Sequence, residues 1–110
     1  MWRFHVDYNR AGAATWWLYG NNNEMVAWAG ESFASLANAR RAASAFKAGA
    51  RSARYDVYLD AAGAWRWRAW RSSDKVAASG ESFSSEYAAQ RAAANVSDNA
   101  GRYAGGLAAA

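Results

Sequence analysis

Polar and apolar residues alternate with period two over residues 4–8 and 14–19, and again over 55–59 and 65–70, the pattern of strands with one buried face. Asn9-Arg10-Ala11-Gly12-Ala13 joins the first pair and Asp60-Ala61-Ala62-Gly63-Ala64 the second. Each linker suits a three-residue hairpin loop in which Gly12 or Gly63 takes a positive φ. Polar turns at 20–23 and 71–74 lead to short third strands around Val26 and Val76. The period then changes. Ala39, Ala42, Ala43 and Phe46 fall at i, i+3, i+4 and i+7, as do Ala89, Ala92, Ala93 and Val96, predicting two amphipathic helices. Ser35 and Ser85 stand as N-caps; Gly49 ends the first helix and Asn99 holds the corresponding place in the second. Residues 51–55 and 102–107 are candidates for a further strand after each helix, and the closing alanines 108–110 are expected to fray.

The chain thus says nearly the same thing twice. Residues 4–50 lie over 55–100 with one gap, which falls in the second turn, and Gly30-Glu31-Ser32-Phe33 returns as Gly80-Glu81-Ser82-Phe83. Before the gap the offset is 51, pairing Val6 with Val57 and Trp16 with Trp67; after it the offset is 50, pairing Val26 with Val76 and Arg41 with Arg91. Agreement across apolar, turn and polar positions implies two copies of one supersecondary unit. Units of about 50 residues are too small to bury a comfortable core alone, so the two are expected to share one. The expected fold is α+β: a tandem duplication of a β(3)-α-β unit forming one mostly antiparallel sheet, with two helices packed on one face. A single domain spans 1–110, with repeats at about 2–53 and 54–107.

Composition sharpens this picture. With 30 alanines, no isoleucine and only nine Val plus Leu, large apolar side chains are mostly Trp, Phe and Tyr, so the core should be aromatic rings set against Ala. The absence of Cys excludes disulfides and thiolate metal sites. The amino terminus lacks the apolar run of a signal peptide or membrane span, predicting a soluble, cytoplasmic protein with no membrane association. A net charge of +4, chiefly from arginine, permits anionic partners but is modest for a dedicated nucleic-acid binder.

The elements Tyr55-Asp56-Val57, Ala62-Gly63, Trp65-Arg66-Trp67-Arg68 and Gly80-Glu81-Ser82-Phe83-Ser84-Ser85 together resemble the repeat of the YegP-like family, small bacterial and archaeal proteins of unknown function. The first copy departs in its second strand, Thr15-Trp16-Trp17-Leu18, which lacks both arginines, and both copies carry an extra residue between Glu and the aromatic. The resemblance implies a continuous sheet with both helices on one face and exchanged last strands, built from a dimer of single repeats or a tandem fusion. The fused version needs no partner to complete its sheet, so a monomer is expected. For function the family supplies almost nothing.

Candidate chemistry lies on the sheet face away from the helices. If Gly63 closes a three-residue loop, Tyr58 faces Arg66 and Asp56 faces Arg68, while Val57 opposes Trp67 and Leu59 opposes Trp65 on the core side. The open side then carries Asp56, Tyr58, Arg66, Arg68 and Trp70, with His5, Asp7, Thr15, Trp17 and Tyr19 in the other copy. The expected binding face is Trp17, Tyr19, Tyr58, Arg66, Arg68 and Trp70. Locally, Arg68 is expected to pair with Asp56 and Arg66 to lie on Tyr58. Such a face suits a protein partner or self-association. The alternative is weak, sequence-tolerant binding of single-stranded nucleic acid, in which bases stack on rings and guanidinium groups hold phosphates. The facing of Trp28 is open.

Glu31 and Glu81 are the carboxylates repeated at matched positions; as a catalytic pair they would have to meet in one pocket, and as residues before helices they favour the helix dipole. Ser32, Ser35, Ser82 and Ser85 have no base nearby in the pattern. One histidine and no cysteine predict no metal centre, and no Gly-rich phosphate cradle occurs, so no cofactor is expected. Arg40, Arg41, Lys47 and Arg91 are expected to be solvated on the helices' outer sides. The functional expectation is a non-catalytic binding or accessory module.

Overall fold

Hairpin geometry starts from the two loop glycines, whose φ angles are 82° at Gly12 and 85° at Gly63, a region that side-chain-bearing residues avoid. The side chains of Asn9 and Asp60 complete the loops: each Oδ1 accepts two backbone N–H groups, from Ala11 and Ala13 in one case and Ala62 and Ala64 in the other. In this computed structural model, which describes residues 1–107, the loops join β1 (Arg3–Tyr8) to β2 (Ala14–Tyr19) and β4 (Arg54–Leu59) to β5 (Trp65–Arg71). The strands β3 (Met25–Trp28) and β6 (Asp74–Ser79) follow, and helices α1 (Leu36–Gly49) and α2 (Glu86–Tyr103) come after β3 and β6. The fraying expected of residues 108–110 lies outside the described residues.

All six strands join one antiparallel sheet in the order β1-β2-β3-β6-β5-β4. The middle seam, β3 against β6, pairs Ala27 with Ser79 and Trp28 with Ala78. Register slips by one residue between Leu18 and Tyr19 in β2 and between Ala69 and Trp70 in β5. In both places the extra residue, Val26 in β3 and Val76 in β6, lies just after the second turn.

One face of the sheet is the core. Phe4, Trp16, Leu18, Ala27, Trp67, Ala69 and Ala77 are buried there. Helix α1 lies on β1 and β2, setting Phe46 against Trp16 at 5.3 Å and Phe4 at 6.4 Å between ring centroids. Helix α2 lies on β4 and β5 and brings Ala93, Val96 and Ala100 into the same cluster. Both helices start as the capping serines require: Ser35 Oγ accepts the Asn38 N–H at 3.0 Å and Ser85 Oγ the Ala88 N–H at 3.1 Å. Ahead of the caps, Phe33 bridges Ala14 and Phe83 bridges Trp65.

Several details depart from the sequence reading. Asn99 does not end α2, which continues to Tyr103; its amide donates to the Asn95 carbonyl and side-chain oxygen one turn back. Residues 102–107 therefore make no full strand, only an isolated parallel bridge from Gly105 to Arg3 on the outer edge of β1. Nor do residues 51–55 form a separate strand, since Arg54 already opens β4. Leu59, expected in the core, is 54% exposed at the end of an edge strand. Thr15, expected on the open side, is fully buried and donates its hydroxyl to the Glu31 carbonyl at 2.8 Å. Lys47 is not simply solvated: its ammonium donates to the Ala104 carbonyl at 2.6 Å, tying α1 to the end of α2. Among the described residues no helix is long and apolar enough to cross a membrane.

Candidate binding face

Antiparallel register across all six strands assembles a single row on the face away from the helices: His5, Trp17, Trp28, Ala78, Arg68 and Asp56, one residue from each strand in turn. This settles the facing of Trp28, which sits at the middle seam opposite Ala78. The two residues hold equivalent positions in the aligned halves of the sequence, so the seam carries a large ring on one side and a methyl group on the other. Trp28 escaped the sequence reading because a four-residue strand gives too few alternations to fix its phase. Its register across β2, opposite Trp17, is what orients it.

Each ring flanking the row has a cationic or imidazole neighbour. His5 stacks on Trp17 with centroids 5.7 Å apart, and the Arg3 guanidinium lies 4.6 Å above Tyr19. Arg68 covers Tyr58 at 3.9 Å and also approaches Trp70, at 5.6 Å, while Arg54 lies 5.8 Å from Trp70. The partner expected over Tyr58 was Arg66, and this is corrected: Arg66 turns toward the hairpin tip, where its Nε donates to Asp60 at 2.8 Å. The cause is Asp60 itself. Already oriented by the Ala62 and Ala64 amides, its carboxylate presents a second oxygen to Arg66, a charge-assisted bond stronger than a cation–π contact at a half-exposed site. The Ala64 amide, and then Arg66, hold the Asp60 carboxyl below its ordinary pKa.

Asp56 receives Arg68 at 3.5 Å, as the register predicts, and also the Trp70 indole N–H at 2.8 Å. Arg68 is thereby held by a ring and a carboxylate, yet its Nε is buried without a partner among the described residues. Beside it the face dips into a depression of about 340 Å³ whose lining includes Trp28, Tyr58, Asp60, Arg66, Arg68 and Lys75. Lys75 went unremarked in the sequence because it belongs to a turn-proximal strand position whose counterpart is Met25. Its aliphatic stem crosses Gly30: a Cβ there would come within 3.0 Å of the Lys75 Cε.

The structure thus places Tyr58, Arg66, Arg68 and Trp28 around one depression, while Trp17, Tyr19 and Trp70 lie on the surrounding face outside it. Glu31 lines a different depression with Phe33, Arg71, Asp74 and Lys75, and Glu81 is not among its lining residues. Among the described residues no cluster of three His, Asp or Glu exists that would hold a metal ion.

No protein-family model matches this chain, and no curated protein matches it in sequence. The similarity is in three dimensions. The solution structure of YegP from E. coli, a protein of unknown function, superimposes with a TM-score of 0.78 at 13% identity, covering 96% of this chain and 90% of that one. The UPF0339 protein SO3888 from Shewanella oneidensis superimposes with a TM-score of 0.77 at 12% identity, covering 96% and 89%. The fold is that of the YegP-like proteins, matching the resemblance of its repeat motifs.

Proposed function

We propose that the chain is a non-catalytic binding module of the cytoplasm, formed by two duplicated units, whose open sheet face takes a protein partner. The observation that carries this is the state of the aromatic rings. Trp17, Tyr19, Tyr58 and Trp70 each have a cation or an imidazole against them, and Arg66 and Arg68 are each engaged with a carboxylate. A single-stranded nucleic acid needs bare ring faces for stacking and free guanidinium groups for phosphates. A protein surface instead gains from large aromatic and arginine side chains that are ordered beforehand, because little rotamer freedom remains to be lost on binding.

Selection of a random peptide library on the intact protein tests the reading. Peptides that enrich should lose binding to the Trp17→Ala and Trp28→Ala variants and keep it with Arg41→Ala and Arg91→Ala on the helix side. Enrichment of peptides that respond only to the helix-side changes would contradict it. So would tryptophan quenching by oligo-dT that weakens steeply with salt, the signature of phosphate contacts. Sedimentation velocity of the free protein should show a monomer; a dimer lost in the Trp28→Ala variant would instead make a second copy of the chain the partner.

A further inference from the structure

The depression beside Arg68 is electrostatically unbalanced. Its lining brings three cations, Arg66, Arg68 and Lys75, against one carboxylate, Asp60. Arg66 is engaged with Asp60 at 2.8 Å and Arg68, more loosely, with Asp56 at 3.5 Å, leaving Lys75 without a carboxylate partner among the described residues. An acceptor from outside would therefore meet the Lys75 ammonium and the outer, Nη end of the Arg68 guanidinium, whose Nε is covered.

The shape supports the same conclusion. Trp28 stands at the seam where its counterpart Ala78 leaves room, so the depression lies on one half of the sheet with Trp28 in its wall. Gly30 has a φ of 79° and no side chain, which lets the Lys75 stem lie across it with the ammonium also at the Gly30 position, 3.4 Å from where a Cβ would stand. On its far side Lys75 borders the depression that holds Glu31, Asp74 and Arg71. Those three groups are the other charges facing it, and two of them are acidic.

We propose that this depression seats an acidic side chain of an extended peptide, its carboxylate held by Lys75 and Arg68 and its backbone lying against Trp28. The proposal rests on the reading of the open face as a protein-binding surface and names the chemistry of the partner. A carboxylate suits it better than a phosphate diester because no track of free cations leads away from it across the face, where Arg3, Arg54 and Arg66 are engaged with Asn23, Trp70 and Asp60.

The probe is fluorescein-labelled decaglutamate, followed by anisotropy, with decaglutamine and oligo-dT alongside. Wild-type protein is expected to bind decaglutamate and not decaglutamine. Lys75→Met, which installs the residue found at the equivalent position Met25, should weaken binding by about fivefold, the weight of one partly screened charge contact, while Lys75→Arg retains it. Thermal melts of both variants beside the wild type separate lost contact from lost fold. Equal binding by the Lys75→Met variant, binding of decaglutamine as tight as decaglutamate, or no binding of decaglutamate would each overturn the proposal. Oligo-dT that binds more tightly and shows the same Lys75 dependence would overturn it in favour of a phosphate site. A library-selected peptide that needs Trp28 but ignores Lys75 would overturn the carboxylate site while leaving the protein-binding face standing; failure of both experiments removes both.

Discussion

Trp16 and Trp67 occupy matched places in the two halves, both fully buried, and in both the indole N–H lacks an acceptor among the described residues. Burying the ring is worth several kcal/mol while the orphan donor costs about 1–3 kcal/mol. Trp67→Phe should therefore destabilise far less than Trp67→Ala, whose loss is expected at about 3–5 kcal/mol; urea unfolding of the two variants checks the order. Tyr55 offers a test by pH. Burial pushes its phenol up to about 12, and the hydroxyl donates to the Ala50 carbonyl at 2.7 Å. The neutral form is favoured in the folded chain, so this stabilisation is whole below pH 10 and disappears as pH climbs toward 12. Tyr55→Phe should be less stable than wild type by about 1 kcal/mol near neutrality, and chemical denaturation above pH 10 should show the gap closing. At this scale the sequence tells which face a strand residue occupies but not which neighbour a long side chain chooses. Arg66 and Arg68 share a face, and period two says no more; that Arg68 takes Tyr58 follows from Asp60 having been oriented first to capture Arg66.

Among the elements, the hairpins were the most legible because period-two strands flank a glycine at the positive-φ position; the Asx side chain that accepts from the amides two and four residues on is a second local signal, seen only in the structure. Nothing lies within 4 Å of a Cβ added at Gly63, so Gly63→Ala isolates the backbone cost of a positive φ, about 1–2 kcal/mol. A thermal melt showing no loss would mean that the loop can adopt another turn. The end of α2 was the least legible. Asn99 looks like a terminator, yet the helix passes through it and through Gly101, running 18 residues against 14 in α1. Gly101 lies where a Cβ would sit 3.0 Å from the Lys47 carbonyl. Its smallness serves the approach of one helix to the other, a reason that exists only in three dimensions.

For the whole molecule, the shared core was legible from the repeat and the small size of each unit, whereas the open face depends on the β3 to β6 seam, which no local pattern announces. That seam joins the proposed duplicated units at the pair Trp28 and Ala78, and the inequality of those two residues gives the open face one depression instead of two. Substituting Ala78→Trp should fill it and abolish peptide binding with little change in melting temperature, because the added ring points to solvent. The seven tryptophans supply a direct reading of where a partner sits. When a library-selected peptide is titrated into the protein labelled with nitrogen-15, the indole N–H resonances of Trp17, Trp28 and Trp70 should move while those of the buried Trp16 and Trp67 hold still. Shifts gathered instead on the backbone amides of α1 and α2, with Trp28 unmoved, would contradict the assignment of the open face as the binding surface.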